Sequence, residues 1–459
     1  MSRKSQFIDL KGLAVDVVEM GLRPRRGALA CRLETNISFD TEVLETFSST
    51  NWQPVVYDAL VVAAAVEFCD RSLARSSMNW GRRFHVYIPV HDPARWLDRS
   101  VCNALTNALN FLTGDDWHFR FRARKEKAAL PAQNRLEFPS NAEAVIAYSE
   151  GMDSRAVYGL ERQRLGNRLV RVRVGTKWHD VPKKKRLIAP FAALPYEVKL
   201  DDDNAENSAR SRGFKFSLIA AIAAYLIDAP TAIVPESGQG ALAPAMLPVG
   251  QGYADYRNYP AFTALMEKFV YALFGHRLRY SFPRIWKTKG ETLREFVDAY
   301  GDSADWLETR SCWQNARQVS VSKSRRQCGI CAACLLRRLS VHAADLVEPE
   351  DNYVWEKLTS ATFEAGAAAG FNQITKALRE YAIAGTLHFD HLAAIPASGS
   401  FDLVKRRATS DLSGSLNEPL ESVSQKLDRL LEQHAKEWSA FTNDLGPQSF
   451  VRKWTDKAS

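Results

Sequence analysis

Four of the seven cysteines, Cys312, Cys328, Cys331 and Cys334, read C-x15-C-x2-C-x2-C. A C-x2-C pair presents two thiolates from one tight turn, and tetrahedral zinc needs four such soft ligands at about 2.3 Å. All four positions are thiolates, so no coordination position is left for a substrate, and the expected Zn²⁺ is structural rather than catalytic. Gly329 lies inside the first pair, where the backbone must turn sharply. The second pair leads into a helix expected over Leu335–Leu346, whose N-terminal end would favour the charge of the last thiolate. The start of the chain, Met1–Lys11, is polar and has no apolar signal core, so the expected compartment is the cytoplasm. There this spacing argues for metal rather than disulfides. Cys31, Cys69 and Cys102 lie in apolar surroundings and read as reduced core cysteines.

A second cluster has a different chemistry. The apolar run Val145-Ile146-Ala147-Tyr148 has strand character and passes into Ser149-Glu150-Gly151-Met152-Asp153-Ser154, then into a helical pattern to about Leu165. A loop from a strand into a helix start offers unpaired backbone N–H groups and a favourable dipole to an anion. Gly151 lets phosphate oxygens approach the backbone. Ser149 and Ser154 supply hydroxyls, and Asp153 can cap the helix or help to hold Mg²⁺. An ordinary helix cap would use Asp153 and Ser154 equally well. The strand before the loop and the α/β pattern after it favour the phosphate reading.

These residues must be positioned by the surrounding elements. Residues 1–140 alternate strand and helix: Leu29–Glu34 strand, Val55–Cys69 buried helix, Phe84–Val90 strand, Val101–Leu112 helix, Trp117–Ala123 strand. His85, His91 and His118 read there as structural or surface residues. Residues 141–310 continue with Arg168–Val174 as strand, Tyr196–Leu200 as a further strand candidate, Phe214–Ile227 as a helix apolar nearly all round, and Thr231–Val234 as strand. Phe262–Phe274 follows as helix, Leu278–Phe282 as strand and Glu291–Tyr300 as helix. The alternation predicts an α/β fold with a parallel sheet covered on both faces, and ligands at the carboxyl ends of its strands. Residues 311–346 hold the cysteine module, and 347–459 read as a helical extension. Within that extension Ala397–Asn417, rich in Ser, Gly and charge, reads as a linker or mobile loop. Beyond it Leu420, Val423, Leu427, Leu430, Leu431, His434, Trp438 and Phe441 fall on one helical face, expected to pack on this protein rather than on a partner.

Composition bounds the rest. The chain has 459 residues, 46% hydrophobic and 25% charged, which excludes a disordered or fibrous chain and suggests two to three domains. The longest strongly apolar run, Phe216–Ile227, is too short for the roughly 20 residues of a membrane span. The net charge of +8 is dispersed over Arg23–Arg26, Arg120–Lys127, Lys183–Arg186 and the trio Lys323, Arg325 and Arg326. Such runs are usually solvated faces. The Pro182–Arg186 run matches a nuclear-localisation pattern that occurs often by chance.

The motif SEGMDS resembles the SGGxDS loop of the PP-loop ATP pyrophosphatases, which bind ATP there and release pyrophosphate while adenylating a substrate. The cysteine module, with CGICAACLLRR, is similar to the zinc site of 7-cyano-7-deazaguanine synthase, QueC. The resemblance covers about residues 140–346. With its two extensions the chain looks like the QueC-like components of Qat antiphage defence systems. The resemblance implies adenylation of a 7-carboxy-7-deazaguanine-type carboxylate and transfer of the acyl group to an amine. The resemblance implies a protein amine, such as the N-terminus of another protein of the same defence system.

By that resemblance Ser149, Gly151, Asp153, Ser154 and Arg210 bind ATP, and Asp153, Arg212 and Lys289 serve catalysis, the cations neutralising the leaving pyrophosphate. Glu236, following a strand, holds the substrate's amino-pyrimidine edge, and Cys312, Cys328, Cys331 and Cys334 bind Zn²⁺. One residue departs from the pattern: Glu150 stands where the family loop has its first glycine, and a carboxylate beside a triphosphate is unfavourable. Two alternatives therefore stay open, a catalytically silent nucleotide-binding scaffold and a tRNA-modifying PP-loop enzyme. For the second, residues 1–140 contain no aromatic–basic recognition motif.

Overall fold

The computed structural model describes residues 11–39, 47–48, 53–75, 80–126, 136–137, 141–149, 151–173, 196–201, 206, 209–247, 253–314 and 318–456. It is α/β with parallel sheets, and the chain divides into two compact units, each assembled from three segments. The first unit comprises Met1–Ala147, Asn167–Val234 and Asp255–Ser281; the second comprises Tyr148–Gly166, Pro235–Ala254 and Phe282–Ser459. Among the described residues no helix is long and apolar enough to cross a membrane.

The first unit holds two four-stranded sheets. In one the spatial order is Leu29–Arg32, Lys11–Val18, Arg82–Val90, Asp116–Ala123, all parallel. The sequence reading missed its central strand, Lys11–Val18, whose Val15 and Val17 are fully buried. The helices Pro54–Ser72 and Arg99–Thr113 follow the expected apolar patterns, and the first is buried along most of its length. The second sheet has the order Arg279–Ser281, Thr231–Ile233, Ala144–Tyr148, Leu169–Arg173. Thr231–Ile233 pairs parallel with both of its neighbours. The helix Arg212–Leu226 is buried on nearly every side, as its uninterrupted apolar run predicts. Gly213 is required there, since a Cβ would lie 2.9 Å from the Arg257 Cα. Tyr196–Val198 is a strand, as expected, but it pairs antiparallel with Ile37–Phe39 in a separate small sheet. The Lys183–Arg186 run lies outside the described residues, whereas Arg23, Arg25 and Arg26 are exposed, as solvated charge should be.

The second unit is mainly helical. Gly159 lets the helices Met152–Leu165 and Lys289–Tyr300 approach closely, because a Cβ there would lie 2.3 Å from the Phe296 ring. The cysteine module shares one apolar core with Trp355, Phe363, Phe389, Trp438 and Phe450. Leu420–Asp444 is one long helix whose Val423, Leu427, Leu430, Leu431, His434, Trp438 and Phe441 are buried, so this face packs on the protein itself. Leu420, at its first turn, is exposed.

Ala397–Asn417 is not a loop: Asp402–Leu416 is helical, closed by Asn417 in the left-handed region. Its composition is polar, but Ala408 and Leu412 recur at a four-residue spacing and are buried, and that stripe outweighs the Ser and Gly content. The sequence reading also ended the strand before Glu236 without recognising the helix Gly238–Met246 that follows it.

Candidate functional site

The cysteine site is built from a hairpin, a turn and a helix start. The short strands Ser320–Val321 and Ser324–Arg325 pair antiparallel, with Ser322 and Lys323 at positive φ in the connecting turn. Gly329 has φ +84°, and a Cβ there would lie 2.9 Å from the Trp355 carbonyl. A side chain would therefore be both strained and crowded. The helix spans Ala332–Ala343, three residues earlier than expected, so Cys331 is its N-cap and Cys334 lies in its first turn. The four Sγ atoms lie within 4.8 Å of one another. Cys328 Sγ and Cys334 Sγ are 3.7 Å apart, well beyond the roughly 2.05 Å of a disulfide, and all four thiols are free.

Backbone N–H groups of Cys328 and Cys331 donate to Cys312 Sγ at 3.2 Å and Cys328 Sγ at 3.3 Å. Such donors favour thiolates, and hydrogen bonds from the neighbouring cysteines lower the Cys312 pKa strongly. Four converging soft ligands, three of them buried, can hold a metal ion, and the donor set fits Zn²⁺.

The Ser149 loop follows the strand Ala144–Tyr148 directly and opens the helix Met152–Leu165. Its residues converge. Ser149 Oγ and Ser154 Oγ are hydrogen-bonded at 2.7 Å, and the Gly151 N–H donates to Ser149 Oγ at 3.1 Å. Gly151 is the N-cap, and no side chain caps the helix. The amides of its first turn consequently lack intrahelical partners. Asp153 thus does not act as the cap that the sequence also allowed. Its Oδ2 accepts a hydrogen bond from Lys289 Nζ, and its Oδ1 is buried without a hydrogen-bond partner. Glu150 lies outside the described residues.

Lys289 is buried at the start of its helix, after the N-cap Thr288, which forms a reciprocal capping box with Glu291. Sequence reading missed what holds it there. The Lys289 N–H donates to Gln239 Oε1 at 2.8 Å, and Gln239 Nε2 contacts His434 Nδ1 at 2.9 Å. His434 Nε2 is 2.9 Å from the Phe389 carbonyl, so Nε2 carries the proton and Nδ1 accepts from Gln239. The Thr288 hydroxyl donates to Glu437 Oε1 at 2.6 Å. Both His434 and Glu437 come from the extension, about 150 residues downstream of Lys289. The only sequence signal was their place on or beside the buried face of one helix.

Glu236 lies in the turn before the helix Gly238–Met246, with its carboxylate over Gly240, where a Cβ would lie 2.1 Å from Oε1. Through Gln239 the start of that helix is tied to Lys289. Arg210 and Arg212 belong to the first unit. Arg210 is buried, pairs with Asp255 at 3.1 Å and lies 5.3 Å from the Trp80 ring centre. Arg212 opens the helix Arg212–Leu226 and stacks near Phe216. The chain matches no family model and no curated protein.

Proposed function

We propose that the chain is a QueC-like ATP-dependent ligase, which adenylates a 7-carboxy-7-deazaguanine-type carboxylate and transfers it to an amine in antiphage defence. The observation that carries this reading is the convergence of Ser149, Ser154, Asp153 and Lys289 on an uncapped helix N-terminus. Phosphates suit those amides and hydroxyls. The ammonium of Lys289 suits a developing negative charge, and the unpartnered Asp153 Oδ1 suits a cation. Mg²⁺, when bound, neutralises phosphate charge. A triphosphate would compete with Asp153 for Lys289 and leave both Asp153 oxygens available to the metal.

In the proposed reaction a carboxylate oxygen attacks the α-phosphorus of ATP, the bond to the bridging oxygen breaks, and pyrophosphate leaves. An amine then attacks the acyl carbon, AMP leaves, and the amine loses a proton. Glu236 would orient the substrate's amino-pyrimidine edge. The four thiolates would hold a structural Zn²⁺ outside this chemistry. The acceptor amine is proposed to belong to a protein of the same defence system. The test is pyrophosphate release from ATP with 7-carboxy-7-deazaguanine, with and without candidate partner proteins or tRNA. Release that needs the deazaguanine acid supports the proposal. Release that depends on tRNA favours RNA modification, and nucleotide binding without release favours a silent scaffold.

A further inference from the structure

The parallel sheet of Lys11–Val18, Leu29–Arg32, Arg82–Val90 and Asp116–Ala123 has one face that its own helices leave open. Phe84, Val86 and Trp117 point to the opposite face and are buried. The chain crosses from Leu29–Arg32 to Arg82–Val90 through the helix Pro54–Ser72, and from there to Asp116–Ala123 through the helix Arg99–Thr113. Both crossings run in the same direction across the sheet, so right-handed connections put both helices on one face. The crossing from Lys11–Val18 to Leu29–Arg32 runs the other way and belongs to the other face, but it is a short loop without a helix. Arg25, from that loop, lies over the Tyr87 ring, with Cζ 4.2 Å from its centre, which places the loop on the Tyr87 face. Parallel sheets ordinarily have both faces covered.

Strand register shows what this face carries. Opposed residues of neighbouring strands point the same way, so Arg83 stands beside Asp116, His85 beside His118 and Tyr87 beside Arg120. The His85 and His118 rings stack, with centres 4.9 Å apart and planes 18° from parallel. Asp116 accepts from Arg83 Nε at 2.7 Å and lies 3.0 Å from His118 Nε2. Asp16 is buried, and it accepts from Arg122 Nη1 at 2.5 Å and the Arg25 N–H at 2.8 Å. Arg32, on the outer strand next to Lys11–Val18, and Arg120 are exposed. Arg25, Arg32, Arg83, Arg120 and Arg122 thus share the face with two carboxylates, one of them buried. Gly12 opposes Arg83 and Ala14 opposes His85, so the floor beside the stacked imidazoles is flat.

We propose that this open face binds single-stranded RNA. Guanidinium groups take phosphates through planar, bidentate hydrogen bonds, and they also stack on planar groups. Unstacked bases lie on aromatic or imidazole rings, and an open sheet presents such rings side by side. A duplex keeps its bases out of reach of so shallow a surface. Asp116 is a partly exposed acceptor for a 2′-hydroxyl, which DNA lacks. An acidic protein would match the arginines but leave the stacked imidazoles unused. No linear motif records the site, because its residues come from four strands and a loop. It is independent of the Ser149 loop and of the reaction proposed for it.

The test is fluorescence anisotropy of a labelled single-stranded RNA of about 12 nucleotides, within the span of such stacking platforms, titrated with the full-length protein at fixed salt. Saturable binding is expected. Arg32→Gln combined with Arg120→Gln, at exposed positions where the fold is not at risk, should weaken it about tenfold or more and lower its salt dependence. His85→Ala, which removes a stacking surface, should weaken it about fivefold or more. Lys376→Gln combined with Arg407→Gln, which removes two exposed cations of the second unit, should change it by less than about twofold. Equal losses in the two double variants would show binding to net charge alone and overturn the proposal. Tighter binding of a DNA strand of the same sequence, displacement of the RNA by polyglutamate at equal charge, or no saturable binding in the unaltered protein would also overturn it.

Discussion

Lys289 donates its ammonium to the Asp153 carboxylate, joining the first turns of two helices that lie 136 residues apart in sequence. Both groups are largely buried, so each holds the other's charge in a place where neither would sit alone. The pair connects the Ser149 loop to the end of the chain, because the Lys289 amide is itself held through Gln239 to His434.

Asp153→Asn should abolish pyrophosphate release while the protein stays folded, because the amide keeps an acceptor for Lys289 but no longer carries charge for Mg²⁺. Lys289→Met is the harsher change. It leaves a carboxylate without its cation and should cost roughly 3–5 kcal/mol of stability. Activity assays and thermal melts of the two variants separate these effects. Full turnover in Asp153→Asn would place the nucleotide elsewhere.

One zinc per chain is expected by elemental analysis of the purified protein. Cys331→Ser should lose it and lower the melting temperature, because metal binding and folding are linked. Cys331 is one of the four converging thiols and the N-cap residue of its helix. Wild-type protein without zinc would refute the assignment.

Gly159→Ala should destabilise the second unit by about 1–3 kcal/mol, since its methyl would be forced against the Phe296 ring. Combining it with Phe296→Leu should cost less than the sum of the two single changes. Additive losses in chemical denaturation would show that the two helices do not meet through this contact.

Acid should weaken the fold well before the carboxylates titrate. Burial lowers both His388 and His434 from 6.5 to about 4. The unfolded chain therefore binds protons that the folded one refuses between those values. The stability due to their neutral burial is complete above pH 6.5 and drains away as pH falls towards 4, by up to about 3 kcal/mol for each group. Denaturation midpoints measured from pH 7 to 4 check this, and His388→Phe should remove roughly half of the slope. A flat profile over that range would contradict the buried neutral state of both rings.

Much of this protein was legible in its sequence, for reasons of local physics. Ligand chemistry depends on residue type and short spacing, so the spacing of Cys312, Cys328, Cys331 and Cys334 already marked four thiols that converge and could hold a metal ion. Strand-to-helix punctuation placed Ser149, Gly151, Asp153 and Ser154 on one turn, and a continuous apolar run marked the helix Arg212–Leu226 as buried. What the sequence left undecided depended on partners far along the chain. Asp153 had two local roles open to it, capping its helix or helping to hold Mg²⁺; the fold leaves the helix without a side-chain cap and pairs Asp153 with Lys289. Asp402–Leu416 looked like a linker because its narrow apolar stripe acquires meaning only against a neighbouring helix. Periodicity and composition record what each segment can bury or bind. Which groups meet is settled by packing, since a buried charge or donor takes whatever partner the fold brings within reach.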